Sequence, residues 1–588
     1  MKTHITLAFL YPAITFCSVA VAEVRVSEIF SSDMVLQRDR SVAVWGTADD
    51  GENVTVTIAG QSHTTTTRDG RWRIALDPLK VSGPQEMKVT GTNAIVFNNV
   101  LIGDVWLCGG QSNMDFDMSA YMRWPGEIGA TYTSIVTNSP TYRNLRVVLM
   151  KKAAALPDGS AVVPVEDDDI FRGTWQACST EVTPRMSATG FVFAQRLQAH
   201  LKIPVGLIDA NKGGSPVHTW YAPESLRILE APRDSMNNMY NAMIRTYRNF
   251  PIKGVIWYQG ESNAWTVESS QNYAAEFKAM IRGWRHDFND PEMPFLFVQL
   301  AAYARNPFHQ GVTYPILRDS QAAALELNHT GMAVAIDLGD PTNIHPPYKL
   351  ALSDRLVFAA RKVAYSEDVV SSGPTFESFR IDDDRAVVAF THTGSGLTVR
   401  DVTLAGRKLP ADKLVGFQIA GSDEQFHEAD AIIEGDTVLV SSLAVNVPVA
   451  VRYAWRGFPY ANLYNREGLP ASPFRTDDHE IVLDQKLIDL HNRRLYLPSK
   501  LSRTEMTIEQ KAQVAAIHDR HVTEDVEAKI QKLRTAYEEV WKTEGRSSPA
   551  YRKAVAAYND YLNPLLKRIG DEIETTRIFK RSTRPDVQ

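Results

Sequence analysis

The chain has 588 residues, 44% of them hydrophobic, which is enough to build several cores. A net charge of −6 with no clustered basic face excludes nucleic acid as an expected partner. Of its 3 cysteines only Cys108 and Cys178 lie beyond the N-terminal apolar segment, which excludes a disulfide scaffold.

Residues 1–22 carry one early basic residue (Lys2), an apolar run from about Ile5 to Val21, and Ala20-Val21-Ala22 at the end. This is the pattern of a secretory signal peptide with a small-x-small cleavage site. The mature chain is expected to begin at Glu23 and to act in the periplasm or outside the cell. Pro12 and the short span argue against a membrane anchor. Cys17 follows Phe16 rather than a small residue, which argues against lipid attachment. No membrane insertion is expected after cleavage.

Residues 23–100 are β in character. Val42-Ala43-Val44-Trp45, Val54 to Ile58 and Trp72 to Leu76 are short strands, separated by turn signals such as Asp49-Asp50-Gly51 and Asp69-Gly70. The spacing predicts a small β-sandwich, an accessory domain without a visible aromatic platform.

From Leu101 to about residue 370 the pattern alternates strand and helix. Val105-Trp106-Leu107-Cys108 runs into Gly109-Gly110-Gln111-Ser112-Asn113-Met114, a buried strand leaving a sheet through a glycine turn. Cys108 is read as a small core residue rather than as half of a bridge to Cys178. Four further apolar runs (203–210, 252–258, 294–300 and 332–337) and an amphipathic helix at about 272–288 predict a parallel sheet covered on both faces. The segment Asp115 to Asp168 is polar and aperiodic and is read as loops.

Strand character returns from about Ser371 to Tyr453 and is read as appended to the end of that sheet. The aperiodic tract Leu463 to Asp478 is read as a packed loop, so a second β region spans 371–480. Residues 481–588 form a helical extension: Thr507-x-x-Gln510 is a capping-box start, Ser548-Pro549 opens another helix, and Pro564 should kink it. Apolar stripes at helix spacing predict a docking hairpin without chemistry of its own.

The chemistry gathers at the strand ends. A serine hydroxyl needs a base to take its proton and fixed donors for the oxyanion that forms. Ser112 follows the first strand, Gly213-Gly214 the second, and Gln259-Gly260-Glu261-Ser262-Asn263 the third. The last leads into Asp337-Leu338-Gly339-Asp340-Pro341-Thr342-Asn343-Ile344-His345-Pro346. Together these are the parts for acyl transfer. Met114 stands where Gly-x-Ser-x-Gly would need its second glycine, so an ordinary nucleophile elbow is disfavoured.

The block Gly103 to Met114 resembles the nucleophile block of the sialate O-acetylesterase family in the SGNH/GDSL hydrolase superfamily. Gly254 to Asn263 is similar to its third block, and Asp340 to Pro346 with Lys349 to its histidine block. Met34-Val35-Leu36-Gln37-Arg38 and Gly468 to Asp477 also resemble that family, and the likeness runs from about Val26 to Asp478. It implies an α/β fold: a flavodoxin-like three-layer α/β/α SGNH hydrolase core with accessory β-sandwich domains and a C-terminal helical extension. It implies a carbohydrate O-acetylesterase acting on acetylated sugars, sialic acids or plant-wall polysaccharides such as xylan and xyloglucan, with neither metal nor cofactor.

Carried over residue by residue, the resemblance makes Ser112 the nucleophile and His345 the general base. The Ser112 N–H, a Gly213 or Gly214 N–H and the Asn263 side chain become candidates for the oxyanion hole, with Gln259 the alternative to Asn263. Thr342 occupies the position three before the histidine where the superfamily usually has Asp. Asp340 is the first candidate for the acid; Asp337, and a Ser–His dyad oriented by a backbone carbonyl, are the alternatives. Gln111, Gln259, Glu261, Trp220 and Trp265 are candidate substrate-binding residues, with His218, Trp257 and Tyr258 as further wall. Glu261 is read as an orienting or ion-paired residue rather than a catalyst. A glycan-binding protein that kept the scaffold but lost its chemistry is the non-enzymatic alternative.

Overall fold

A computed structural model describes residues 23–150, 173–231, 239–304, 311–404, 406–479, 508–544 and 549–575. The expected signal peptide and the capping residues Thr507 and Ser548 lie outside the described residues. No helix among the described residues is long and apolar enough to cross a membrane.

One strand, β1 (Ala94–Gly110), organises everything else. Its first residues alternate between half-buried and exposed, and from Val100 onward every side is buried. The switch follows its neighbours. The first half pairs with the antiparallel strand Ser82–Thr90 of the N-terminal domain, and Leu101 to Gly103 with Val35 to Gln37. The second half lies between β2 (Val205–Asn211) and β3 (Gly254–Tyr258), both parallel to it. A strand covered on both faces reads as a continuous apolar run, whereas a half-covered one alternates. The boundary placed at residue 100 therefore falls inside a single strand.

The N-terminal region holds two groups of strands. Arg25–Val26, Val42–Thr47 and Arg71–Leu76 form one sheet, while Gln61–Thr66 pairs with Asn53–Ile58, which pairs with Ser82–Thr90, and Ser82–Thr90 pairs with β1. The parallel core continues through β4 (Phe295–Gln299) and β5 (Thr330–Val334), giving the order β2-β1-β3-β4-β5. This is the doubly wound order in which ligands bind beyond the carboxyl ends of the strands. The strand Leu145–Leu149 adds outside β2, with Trp175–Ala177 antiparallel to it.

Helices cover both faces. Trp106 of β1 meets Phe193 of helix α1 (Ala188–Leu201) edge-on at 5.2 Å, and α1 packs on α4 (Lys349–Val363). On the opposite face Trp257 of β3 packs edge-on against Trp284 of α2 (Val267–Asp287) at 5.7 Å, and α2 packs on α3 (Thr313–Ala322). Thr266 and Ser269 close a capping box that starts α2 earlier than its apolar period announced. The segment read as loops from Asp115 instead holds the helices Met118–Met122 and Glu127–Thr137 and the edge strand; residues 151–172 are not described. Cys108 and Cys178 are both free and buried.

The second β region is not a continuation of the parallel sheet. It forms its own antiparallel sheets, one from Thr375–Asp382, Arg385–Thr391, Thr437–Ser441 and Asp430–Glu434, the other from Phe426–Glu428, Phe417–Ala420, Ala450–Tyr453 and Phe474–Arg475. The tract from Leu463 to Asp478 is the wedge between this region and the core. Phe474 stacks on Phe376 with centroids 4.6 Å apart, and Gln299 at the end of β4 donates to Ser472 Oγ at 3.2 Å. Buried Arg318 of α3 donates to the carbonyls of Leu300, Ala301, Arg456 and Gly457 at 2.8–3.0 Å. A single hydrophobic core runs from Val24 to Phe474. The extension forms helices Ile508–His521, Glu524–Glu544 and Pro549–Thr575 around a separate small core of Val514, Ile517, Val522, Ile530, Leu565, Ile569 and Ile573.

Two outcomes follow from this architecture. Asp337 accepts a bidentate pair from Arg355 (2.6 and 2.7 Å) and a bond from the Tyr464 hydroxyl (2.8 Å), joining core to wedge. Burial alone would raise its pKa, yet the Arg355 charge and hydrogen bonds, with Tyr464, hold it below the ordinary carboxylate value. Its contribution is complete above the unfolded carboxylate pKa and is lost as pH falls through the depressed native one. Asp337→Asn leaves the buried Arg355 without its counter-charge and should cost about 3–5 kcal/mol, read as a lower unfolding temperature at neutral pH. Removing residues 506–588, whose described helices bury their apolar stripes on one another, should leave the expected esterase turnover intact. A folded truncated protein without turnover would overturn that reading.

Candidate active site

The nucleophile turn is set by backbone contact. Gly110 has φ of +139°, and a Cβ there would lie 2.1 Å from the Tyr258 carbonyl oxygen of β3. Only glycine accepts both conditions. The Gln111 N–H then donates to that carbonyl at 3.0 Å, and Ser112 opens a one-turn helix, Ser112–Asp115.

Ser112 Oγ lies 2.9 Å from His345 Nε2. The imidazole stacks on Phe116 with centroids 4.3 Å apart, and Asn343 pairs with both the N–H (3.0 Å) and the carbonyl (3.1 Å) of His345. Burial first, and the Lys349 charge second, lower the His345 pKa to about 4. The imidazole is therefore neutral, with Nε2 able to accept, over the physiological range.

Neither proposed acid reaches it. Asp340 Oδ1 accepts from Thr342 N (2.7 Å), Thr342 Oγ1 (2.9 Å) and Asn343 N (2.8 Å), an Asx turn that shapes the histidine loop. Among the described residues Asp340, expected to hold His345, makes no bond to it. Asp337 is committed to Arg355 and Tyr464. Among the described residues no carboxylate and no carbonyl bonds to His345 Nδ1.

The oxyanion candidates separate clearly. The Gly213 N–H is taken by Asp115 Oδ2 at 2.8 Å, whereas those of Ser112 and Gly214 have no acceptor among the described residues. Asn263 Oδ1 accepts from the Val217 N–H (3.0 Å) and Gln259 Nε2 (2.8 Å), which orients its amide and leaves Nδ2 with one long contact, 3.4 Å to Glu276. Gln259 cannot replace it. Its Nε2 is shared among Gln111, Ser215 and Asn263, and its Oε1 accepts from the Tyr273 hydroxyl at 2.8 Å.

Of the substrate-binding candidates, only Trp265 stands at the surface, 55% exposed directly after the third block. Trp220 is fully buried and donates to Ser215 Oγ at 2.9 Å; Trp257 and Tyr258 are also core. Gln111, Gln259 and Glu261 are buried, and their polar atoms brace loops rather than face outward. These corrections share one cause: a polar side chain beside a nucleophile serves the loop's own backbone as readily as a ligand.

Sequence reasoning missed Asp115, Phe116, Asn343 and Glu276. Asn343 lies inside the quoted histidine block, but nothing in its type signals a double bond to His345. The contacts of Phe116 and Glu276 depend on tertiary approach.

Residues 102–350 match a family described as carbohydrate esterase, sialic acid-specific acetylesterase. Over 506 residues the chain is 29% identical to sialate O-acetylesterase of Homo sapiens, covering 76% of this chain and 92% of that protein. The Rattus norvegicus protein of the same name is 30% identical over 423 residues, covering 60% and 75%. A crystal structure of a novel carbohydrate acetylesterase from Xanthomonas citri superposes with a TM-score of 0.69 at 36% identity, over 78% of this chain and 100% of that one. The chain belongs to the sialate O-acetylesterase family of carbohydrate esterases and is a carboxylic-ester hydrolase.

Proposed function

We propose that the protein removes acetyl groups from acetylated sugars through a serine acyl-enzyme, with Ser112 as nucleophile and His345 as general base. The observation that carries this reading is the 2.9 Å contact between Ser112 Oγ and His345 Nε2 beyond the carboxyl end of the parallel sheet. In the first step Oγ attacks the acetyl carbonyl carbon and its proton passes to Nε2. The developing oxyanion meets the Ser112 and Gly214 N–H groups and Asn263 Nδ2, each donor contributing about 3 kcal/mol where geometry is good. Collapse expels the sugar oxygen, which takes the proton from His345. Water, deprotonated by the same nitrogen, then attacks the acyl carbon; the bond to Ser112 Oγ breaks, Oγ takes the proton back from His345, and acetate leaves.

The substrate proposed is an O-acetylated sialic acid or a plant-wall polysaccharide such as xylan or xyloglucan, with Trp265 as the wall for the sugar face. The relatives named for sialate and carbohydrate acetyl esters support this class. Residues 1–22 support action in the periplasm or outside the cell. The histidine works here without a carboxylate, as a Ser–His dyad.

Acetate release from acetylated sialic acid, xylan and xyloglucan, compared side by side, identifies the substrate. Ser112→Ala should abolish release, and equal activity in both proteins would exclude this mechanism. Asp340→Asn should lose about tenfold or less, since the amide oxygen can keep the Asx turn; a loss near the ~10⁴ seen when a triad acid is replaced would return Asp340 to the catalytic set. With its pKa lowered to about 4, His345 stays a competent base well into mild acid. The acid limb of kcat/KM should therefore lie near pH 4, and a limb near the ordinary histidine value would contradict the buried environment.

A further inference from the structure

Behind the Ser112–His345 pair lies a buried polar chain that no step above uses. Asn113, Glu261 and Lys349 are all buried; the first two follow the ends of β1 and β3, and Lys349 opens helix α4. Asn113 Nδ2 donates to Glu261 Oε1 (2.5 Å) and to the Ile344 carbonyl (2.9 Å), while Lys349 Nζ donates to Asn113 Oδ1 (2.5 Å). Two acceptors on one side and a cation on the other allow one amide orientation only. Asn113 adjoins the nucleophile, and Ile344 adjoins the base. One side chain thus ties the two reacting residues through their nearest neighbours in sequence.

We propose that Asn113, clamped between Glu261 and Lys349, is the positioning residue of this site: it holds the histidine loop against the nucleophile turn and places a buried cation, not a carboxylate, behind His345. The proposal rests on the Ser112–His345 reading given above. Among the described residues Lys349 Nζ has one hydrogen-bond acceptor, Asn113 Oδ1, and the Tyr258 ring 5.0 Å away. The titratable groups facing it are Glu261, His345, Tyr258 and Tyr132, whose hydroxyl donates to the Pro347 carbonyl at 3.3 Å. Burial raises both tyrosines, so they stay neutral. Burial also lowers Lys349 itself to about 7, against the opposing pull of Glu261. The charge that His345 experiences is therefore set chiefly by Lys349.

The test measures kcat, KM and the pH profile of acetate release from p-nitrophenyl acetate for wild type, Ser112→Ala, Asn113→Ala and Lys349→Met, with thermal melts to establish folding. Asn113→Ala should lower kcat about 10²-fold with KM nearly unchanged, the signature of misplaced rather than unbound reactants. Lys349→Met should move the acid limb upward by about one pH unit or more, because a like charge disfavouring imidazolium is gone. A purely structural role would leave that limb in place. A folded Asn113→Ala protein losing less than threefold, or a Lys349→Met protein with an unmoved limb, overturns the proposal while an inactive Ser112→Ala leaves the serine mechanism standing. Should Asn113→Ala not fold, the Lys349→Met limb decides alone. Full turnover in Ser112→Ala removes both readings together.

Discussion

The site depends on one buried carbonyl oxygen. Gln111 Oε1 accepts from Gln259 Nε2 (3.1 Å), the Gly260 N–H (3.3 Å) and the Ser262 N–H (3.0 Å). These donors belong to the loop after β3, whose own conformation requires Gly260 at φ of +148°, with no room for a Cβ beside Leu317. Leaving such donors unmet in the interior costs about 1–3 kcal/mol each. The loop that carries Asn263 therefore settles wherever Gln111 is, and Gln111 is held in turn by the Tyr258 carbonyl. Ser112 and Asn263 share one scaffold rather than two independently placed loops.

The second constraint is electrostatic. In the proposed mechanism proton transfer from Ser112 creates an imidazolium, and among the described residues no carboxylate bonds to His345 to welcome it. The base is correspondingly weak in the resting protein and free of protons at neutral pH. Lys349, close to its own titration range, is the group whose charge that imidazolium would feel most. The proposed mechanism accordingly places more weight on its oxyanion donors than on the strength of its base.

What could be read from the sequence was what periodicity and glycine dictate. The five apolar runs became the five core strands, because strands buried on both faces have no polar positions to blur the signal. Ser112 lies two residues past the end of β1, and His345 comes to it on the long loop that leaves β5. The helices after Asp115 were invisible because Met118–Met122 and Glu127–Thr137 are short and bury only a few residues each. Asp340 misled for a definite physical reason: an Asp two residues before a threonine N–H can close an Asx turn on its own loop, whatever histidine follows. Composition cannot separate the two. Gln111, Gln259 and Trp220 misled similarly, since proximity in sequence to a reactive residue says nothing of which way a side chain turns.

The unbroken passage of β1 from the accessory sheet into Gly110 has a mechanical consequence. Seventeen residues at ~3.3 Å each make a rod of roughly 50 Å, hydrogen-bonded at both ends to different sheets. There is no linker at which the N-terminal domain could swing, so the two regions move as a lever with no fulcrum between them. A load applied to the accessory sheet would be transmitted along the strand axis straight to the nucleophile turn. Exchanging this domain for another would cut a ladder in mid-rung, which makes it a fixed handle of the enzyme rather than an interchangeable module.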